Sequence, residues 1–168
     1  DPGTDGPPMW SRNLVARCVE PHADRLEEAL AAWQAHYAVH LLDHTRPYPG
    51  IEAMLDALGE RCTLAVATNK PGLYARRICD ALFPGRFAAV IGGDEAPRKP
   101  DPAMLYRLAE QLGSPVAAYV GDMEIDRRTA EAAGCPFVGV TWGFGAFGPE
   151  VEAVGSAAAL AARLRAIG

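Results

Sequence analysis

The chain begins with a helical pattern of apolar residues that ends at a proline-rich turn. Between residues 10 and about 42, apolar side chains recur at three- and four-residue steps and form one stripe: Leu26, Leu30, Trp33, Tyr37 and Leu41. Pro21 is expected to separate a short first helix from a longer second one, because proline disrupts a helix interior. The segment RPYPG at residues 46–50 carries two prolines and predicts a hinge after this helical region.

After this hinge, amphipathic segments alternate with short segments that are wholly apolar. The amphipathic segments predict helices at residues 51–58, 73–82, 103–112, 125–133 and 157–167. The apolar segments predict strands at residues 64–67, 87–91, 117–120 and 137–140. Wholly apolar strands that alternate with helices predict an α/β fold, a Rossmann-like parallel sheet with helices on both faces.

The composition is that of an ordinary globular protein, and it narrows the range of partners. Of the 168 residues, 49% are hydrophobic and 22% are charged. The net charge of -5 argues against nucleic acid or an anionic membrane as the main partner. No apolar run approaches the ~20 residues of a membrane span. Four cysteines are scattered without CxxC spacing, so we expect them to be reduced and mostly buried in a cytoplasmic protein: Cys18, Cys62, Cys79 and Cys135.

Polar clusters follow the predicted strands, where parallel sheets bind their ligands. Thr68, Asn69 and Lys70 follow the first strand, and Gly92-Gly93-Asp94 follows the second. The loop that comes next reads RKPDP and carries Lys99. The third strand ends near Gly121-Asp122, with Asp126 four residues further on. Because these strand ends meet at one edge of a parallel sheet, we expect the clusters to lie together.

Each cluster has a chemical use and a simpler structural interpretation. The Thr68 hydroxyl and nearby backbone donors suit a phosphate oxygen, and Lys99 offers a positive charge. Asp122 and Asp126 can face one spot and suit Mg²⁺, which prefers carboxylate oxygens. Alternatively, Thr68 and Asp122 are helix N-caps and Lys99 is a solvated surface charge.

Two further groups of side chains are open to interpretation. His36, His40 and His44 lie at helical spacing, and a mixed polar helix face is favoured over a metal site. Trp142, together with two phenylalanines of the following segment, Phe144 and Phe147, is expected to form a packed C-terminal loop.

Taken in order, the clusters resemble three of the four motifs of the haloacid dehalogenase-type phosphatases. LAVATNK is similar to the second motif, RKPDP to the third and YVGDMEIDRRTAEAAG to the fourth. Two further segments resemble the corresponding segments of one group within this family, the phosphoglycolate phosphatases: HYAVHLLDHTRPYPGIEAMLDAL and GCPFVGVTWGFG. The resemblance covers residues from about 10 to 168. It implies a flexible tail at 1–9, a partial helical cap at 10–46 and an α/β core at 47–168.

The resemblance also implies roles for individual residues. Thr68 and Lys99 would be catalytic residues, Thr68, Asn69 and Lys99 would bind phosphate, and Asp122 and Asp126 would bind Mg²⁺. The family's first motif, a strand ending in DxDGT that supplies the aspartate nucleophile, has no counterpart here. Residues 1–6 read DPGTDG and contain some residue types of this motif, but no apolar strand precedes them. Nucleophilic attack by aspartate is therefore not assigned to Asp1 or Asp5.

The missing motif affects both the fold and the function that we expect. In the family its strand lies between the strands that end at Thr68 and Asp122, so its loss leaves two unpaired edges. We expect the chain to close up the sheet, borrow a strand or be part of a longer protein. The function implied is a Mg²⁺-dependent hydrolase of a small phosphorylated metabolite, inactive as given. The alternatives are a non-catalytic phosphate-binding or interaction domain and a half-enzyme completed by another chain. The helical stripe further suggests a homodimer.

Overall fold

The computed structural model describes residues 9–167, which divide between Arg46 and Pro47 into two compact units. Most of the tail expected at residues 1–9 lies outside the described residues, and Met9 begins the first helix. No described helix is long and apolar enough to cross a membrane.

The first unit consists of helices, as the apolar stripe predicts. Helix α1 spans Met9–Cys18, a 3₁₀ helix spans Glu20–Arg25 and helix α2 spans Leu26–His40. The break in the helical pattern occurs around Pro21, because proline fits the first turn of a helix better than its interior. Within the stripe, Leu30 and Leu41 are 2% and 3% exposed, so the stripe is not an open apolar face. Self-association through this region stays a prediction.

The second unit has the alternating helices and strands that the sequence predicts. Its helices are α3 (Ile51–Gly59), α4 (Gly72–Leu82), α5 (Ala103–Leu112), α6 (Glu124–Ala133) and α7 (Ala157–Arg165). Its strands are β1 (Ala65–Ala67), β2 (Ala89–Ile91), β3 (Tyr119–Gly121), β4 (Phe137–Val140) and β5 (Ala153–Val154). All pairings are parallel, so the predicted α/β class is confirmed.

The strands form two separate sheets instead of one. Strands β1 and β2 pair with each other, and β3, β4 and β5 form the second sheet in that order. Among the described residues, β1 and β3 therefore each have one partner strand. The chain has not closed up its sheet by pairing β1 with β3.

The backbone of β1 and β3 is directed partly toward edges that no described strand covers. The N–H of Thr68 donates to Ile91 O in β2 at 3.0 Å, so the carbonyl of Ala67 in the same peptide points away from β2. Likewise, Tyr119 N donates to Pro136 O at 2.8 Å, and the preceding carbonyl points away from β4. All residues of β1 and β3 are half-buried, although these strands are apolar. This exposure is expected of strands built to be covered on both sides.

Two apolar clusters, one for each sheet, form the core of this unit. One cluster joins α3 and α7 to β4, with Val138 wholly buried at its centre. The other joins α5 to β2, with Met104 and Leu105 buried. Burial of this kind stabilises each element by roughly 1.5–3 kcal/mol per large apolar side chain. The loop after β2 thus follows a strand that packs on one of these clusters, whereas β1 and β3, which precede the other two loops, are half-buried.

The expectation that the cysteines are mostly buried is wrong for two of them. All four are free thiols, and Cys18 and Cys62 are exposed. Cys79 and Cys135 are half-buried, and burial raises the pKa of both thiols.

Candidate functional site

Lys99 lies in a protected ion pair at the ends of the strands. Its Nζ is 2.6 Å from Asp126 Oδ1, and the side chains are 12% and 6% exposed. The interpretation of Lys99 as a solvated surface charge is therefore wrong. An ammonium group held this far from water needs a carboxylate and further hydrogen-bond partners to offset its lost hydration.

Asp126 uses both of its carboxylate oxygens within the chain. Oδ1 accepts from Lys99, and Oδ2 accepts from the backbone N–H of Met123 at 3.1 Å. Met123 is the N-cap residue of α6, so the interpretation of Asp122 as the cap is wrong. The prediction that Asp126 binds a metal stays a prediction.

Tyr119 is a member of this cluster that the sequence analysis did not single out. Its hydroxyl accepts from Lys99 Nζ at 3.1 Å and lies 3.2 Å from Ala67 O and 3.3 Å from Asp126 Oδ1. Burial raises the pKa of Tyr119, and the neighbouring Asp126 carboxylate raises it further, so the hydroxyl stays protonated. Tyr119 occupies an apolar strand, where a tyrosine gives no sequence signal of a polar role.

Asn69 connects the loop after β1 to the loop that carries Lys99. Its Oδ1 accepts from the backbone N–H of Lys99 at 2.9 Å, and its Nδ2 donates to the Lys99 carbonyl at 3.3 Å. The side-chain amide thus holds the Lys99 backbone at two points. The predicted contact of Asn69 with phosphate is not tested by this geometry.

The loop that begins with Thr68 is fixed by the neighbouring strand end. Lys70 O accepts from Gly93 N at 3.0 Å, and Gly72 N donates to Asp94 Oδ1 at 2.8 Å. Thr68 Oγ1 itself accepts from Lys70 N at 3.2 Å. The N-cap residue of the following helix α4 is Pro71, so the interpretation of Thr68 as a helix cap is wrong.

Asp122 is held by the glycine-rich loop after β4. Its Oδ2 accepts from the backbone N–H of Phe144 at 2.7 Å. A Cβ atom on Gly143 would overlap the Asp122 carboxylate, so this close approach requires glycine. Asp122 Oδ1 has no hydrogen-bond partner among residues 9–167 and is available to a ligand.

The aromatic side chains of this loop do not all pack as expected. Phe147 contacts Phe137 with ring centroids 5.7 Å apart, and Trp142 packs against the core. Phe144 is 92% exposed, so the expectation of a packed loop is wrong at this position. The backbone N–H of Phe144 contacts the site through Asp122, whereas its ring lies in solvent.

The described residues fit part of a Mg²⁺ site. Asp122 has a free hard oxygen, and Mg²⁺ in proteins is often held by one or two carboxylates plus water and phosphate oxygens. No group of three potential ligands from histidine, cysteine, aspartate and glutamate occurs in the described chain, and helix α2 ends at His40, so His44 does not extend the predicted histidine face. His40 instead lies 2.6 Å from Asp43, and its ring contacts that of His36.

Substituting Gly143 by alanine is expected to displace this loop from Asp122. The added methyl group overlaps the carboxylate, and overpacking of this kind costs about 1–3 kcal/mol of unfolding free energy. Gly59→Ala is the matched control, because a methyl group there meets no atom and favours helix α3. Urea denaturation of both variants checks the prediction. Equal stability of the two would contradict it.

The sequence of this chain is similar to those of a known protein family. Residues 14–140 match the family described as "Haloacid dehalogenase-like hydrolase". A phosphoglycolate phosphatase from Cereibacter sphaeroides is 42% identical over 146 residues, which cover 84% of this chain and 66% of the relative. The chain thus spans just under two thirds of that relative's length.

Solved structures show the same similarity. A predicted phosphoglycolate phosphatase from Haemophilus somnus superimposes with a TM-score of 0.74 at 29% identity, covering 84% of this chain and 67% of that one. A haloacid dehalogenase-superfamily hydrolase of subfamily IA from Geobacter sulfurreducens gives a TM-score of 0.72 at 27% identity, covering 91% and 72%. The resemblance of the sequence motifs is therefore confirmed, and the chain belongs to the haloacid dehalogenase-like hydrolase family.

Proposed function

We propose that this chain forms the phosphate-binding part of a phosphoric monoester hydrolase. The observation that carries the proposal is the protected Lys99 ammonium, held by Asp126 at the ends of β1 and β3. A cation fixed in this way can receive phosphate oxygens without first being reorganised. The membership of the chain in a hydrolase family supports the same chemistry.

Each predicted residue has a place in this proposal. The Thr68 hydroxyl and the Lys99 ammonium bind the oxygens of the phosphoryl group, and Asn69 holds the Lys99 backbone in position. Asp126 holds the ammonium group in position through its Oδ1. Asp122 would hold Mg²⁺ through its Oδ1, and the ion would supply positive charge opposite the phosphate oxygens. Asp126 joins the metal if its contact with Lys99 opens.

The substrate class follows from the relatives. Phosphoglycolate phosphatases among them support a small phosphate monoester such as 2-phosphoglycolate. In this proposal the helices of residues 10–46 form part of a cap, and the protein works in the cytoplasm. A homodimer through these helices is part of the same proposal.

The free edges of β1 and β3 favour a second proposal, that the site is completed by a strand from elsewhere. An added strand would pair with both edges and cover two half-exposed apolar strands. It could also supply the aspartate nucleophile that these 168 residues do not offer in the family's pattern. The chain would then be half of an enzyme.

Binding of inorganic phosphate tests the main proposal. The chain is expected to bind phosphate saturably, as measured by calorimetric titration with and without Mg²⁺. Lys99→Met should weaken binding at least about tenfold, because a hydrogen bond to a charged group contributes roughly 1.5–3 kcal/mol. Arg61→Met is the control for loss of a cation, since Arg61 is exposed and precedes β1, at the end of that strand opposite Thr68.

The outcomes separate the candidate functions. Binding that Lys99→Met weakens at least about tenfold and Arg61→Met leaves unchanged supports the phosphate site. Binding without hydrolysis fits a half-enzyme or a non-catalytic phosphate-binding domain. An absence of phosphate binding contradicts the proposal and favours a protein-interaction domain.

A further inference from the structure

The hydroxyl of Tyr119 lies at the junction between the two sheets. Tyr119 begins β3, and its hydroxyl contacts the carbonyl of Ala67, the last residue of β1, at 3.2 Å. That carbonyl points away from β2, so β2 cannot satisfy it. One tyrosine side chain thus connects the strand that precedes Thr68 to the strand that precedes Asp122.

The same hydroxyl limits where the Lys99 ammonium can lie. A phenol has one proton to donate and lone pairs to accept. It accepts from Lys99 Nζ at 3.1 Å and directs its own proton to Ala67 O or to Asp126 Oδ1. With Asp126 as the other partner at 2.6 Å, Nζ is held between a carboxylate and a phenol. The third N–H of the ammonium group is left for a ligand.

We propose that Tyr119 is the positioning residue that orients Lys99 for phosphate binding. It acts through Lys99, with no contact of its own with the phosphoryl group. The inference rests on the proposed function, because the phosphate site gives the orientation of Lys99 its purpose. Without the hydroxyl, Asp126 alone would hold the ammonium, and the direction of its free N–H would no longer be fixed.

The chain has two lysines, Lys70 and Lys99, which makes the position of Lys99 directly measurable. Labelling lysine with ¹⁵N gives at most two ammonium signals in a proton–nitrogen NMR spectrum. Because Lys99 is 12% exposed and hydrogen-bonded, its signal should exchange slowly with water and show a nuclear Overhauser effect to the Tyr119 ring. Absence of that effect in the unmodified chain would overturn the proposal without any variant.

Tyr119→Phe keeps the ring and removes the hydroxyl. The Lys99 signal is expected to shift and to exchange several-fold faster, and phosphate binding is expected to weaken severalfold. In a Lys99→Met background the same substitution should leave residual phosphate binding unchanged, because the hydroxyl acts through the ammonium. The matched control is Tyr106→Phe, which removes a hydroxyl that donates to Ala132 O at 3.1 Å outside the site.

The results distinguish positioning from a structural role alone. If Tyr119→Phe behaves like Tyr106→Phe, with lower stability and an unchanged Lys99 signal, Tyr119 does not position Lys99. If the unmodified chain binds no phosphate, the proposed function fails. The Lys99 signal then still decides whether the hydroxyl holds the ammonium.

Discussion

The 168-residue chain is expected to release no measurable phosphate from 2-phosphoglycolate or p-nitrophenyl phosphate in the presence of Mg²⁺. The carboxylates at the site already have other roles, since Asp126 bonds Lys99 and Asp122 is the proposed metal ligand. A covalent route needs an activated nucleophile, which these two carboxylates do not supply in that geometry. Rate enhancements of many orders of magnitude depend on this step, so its loss is the largest effect that we expect.

A phosphate-release assay checks this result, with the Cereibacter sphaeroides phosphoglycolate phosphatase as the positive control. Robust turnover by the chain, lost on Asp122→Asn, would show that the prediction is wrong. In that case Asp1 and Asp5 are the first residues to substitute, because they are the aspartates of the segment DPGTDG, which partly matches the family's first motif.

Lys99→Met is expected to lower the free energy of unfolding by about 3 kcal/mol. The substitution leaves the Asp126 carboxylate, with a side chain 6% exposed, without its cationic partner. Breaking one side of a buried ion pair costs roughly 3–5 kcal/mol, whereas removing both charges costs much less. Chemical denaturation with circular dichroism measures the change.

Two variants make this stability prediction specific to the pair. Adding Asp126→Asn to Lys99→Met should recover much of the loss, because asparagine keeps an acceptor for Met123 N without the charge. Arg61→Met, at an exposed position, should cost less than about 1 kcal/mol, the upper range for exposed charges. If Lys99→Met lowers the free energy of unfolding by less than about 0.5 kcal/mol, the effect is that of an ordinary surface substitution. Such a result would mean that the ion pair is exposed to water, and it would contradict the prediction.

Most of the fold could be predicted because its elements carry strong local patterns. Helix α5 begins and ends at the predicted residues, since its apolar face repeats at the helical period and Gly113 ends it in a left-handed conformation. Strand β4 likewise matches its prediction, because Phe137–Val140 is an isolated apolar run. Each of these elements buries apolar residues against the core, so local pattern and packing agree.

Other parts of the fold depend on contacts that a local pattern does not contain. Strand β5 has two residues, and its existence follows from pairing of Ala153 and Val154 with the edge of β4. Strand β3 ends one residue later than predicted, at Gly121, where a Cβ atom would collide with Asp126. The separation into two sheets likewise depends on which strands pair with each other, and the sequence of any one strand does not determine its partner.

The site was predictable where polar residues follow apolar strands, and less so elsewhere. Thr68 and Asp122 stand out because each follows an apolar strand, and Lys99 stands out as the lysine of the proline-rich loop RKPDP. The pairing of Lys99 with Asp126 joins residues 27 positions apart, so it is a tertiary contact. Tyr119 gave no signal, since its ring suits a strand and its hydroxyl finds a polar partner only after folding.

The location of a bound oxyanion tests the central claim most directly. Crystals of the chain soaked in tungstate, a phosphate mimic with strong anomalous scattering, would show where the anion lies. We expect an anomalous peak whose oxygens are within about 3 Å of Lys99 Nζ and of donors in the Thr68 loop. A peak elsewhere, with the Lys99 ammonium bonded to Asp126 and Tyr119 and no anion beside it, would contradict the account.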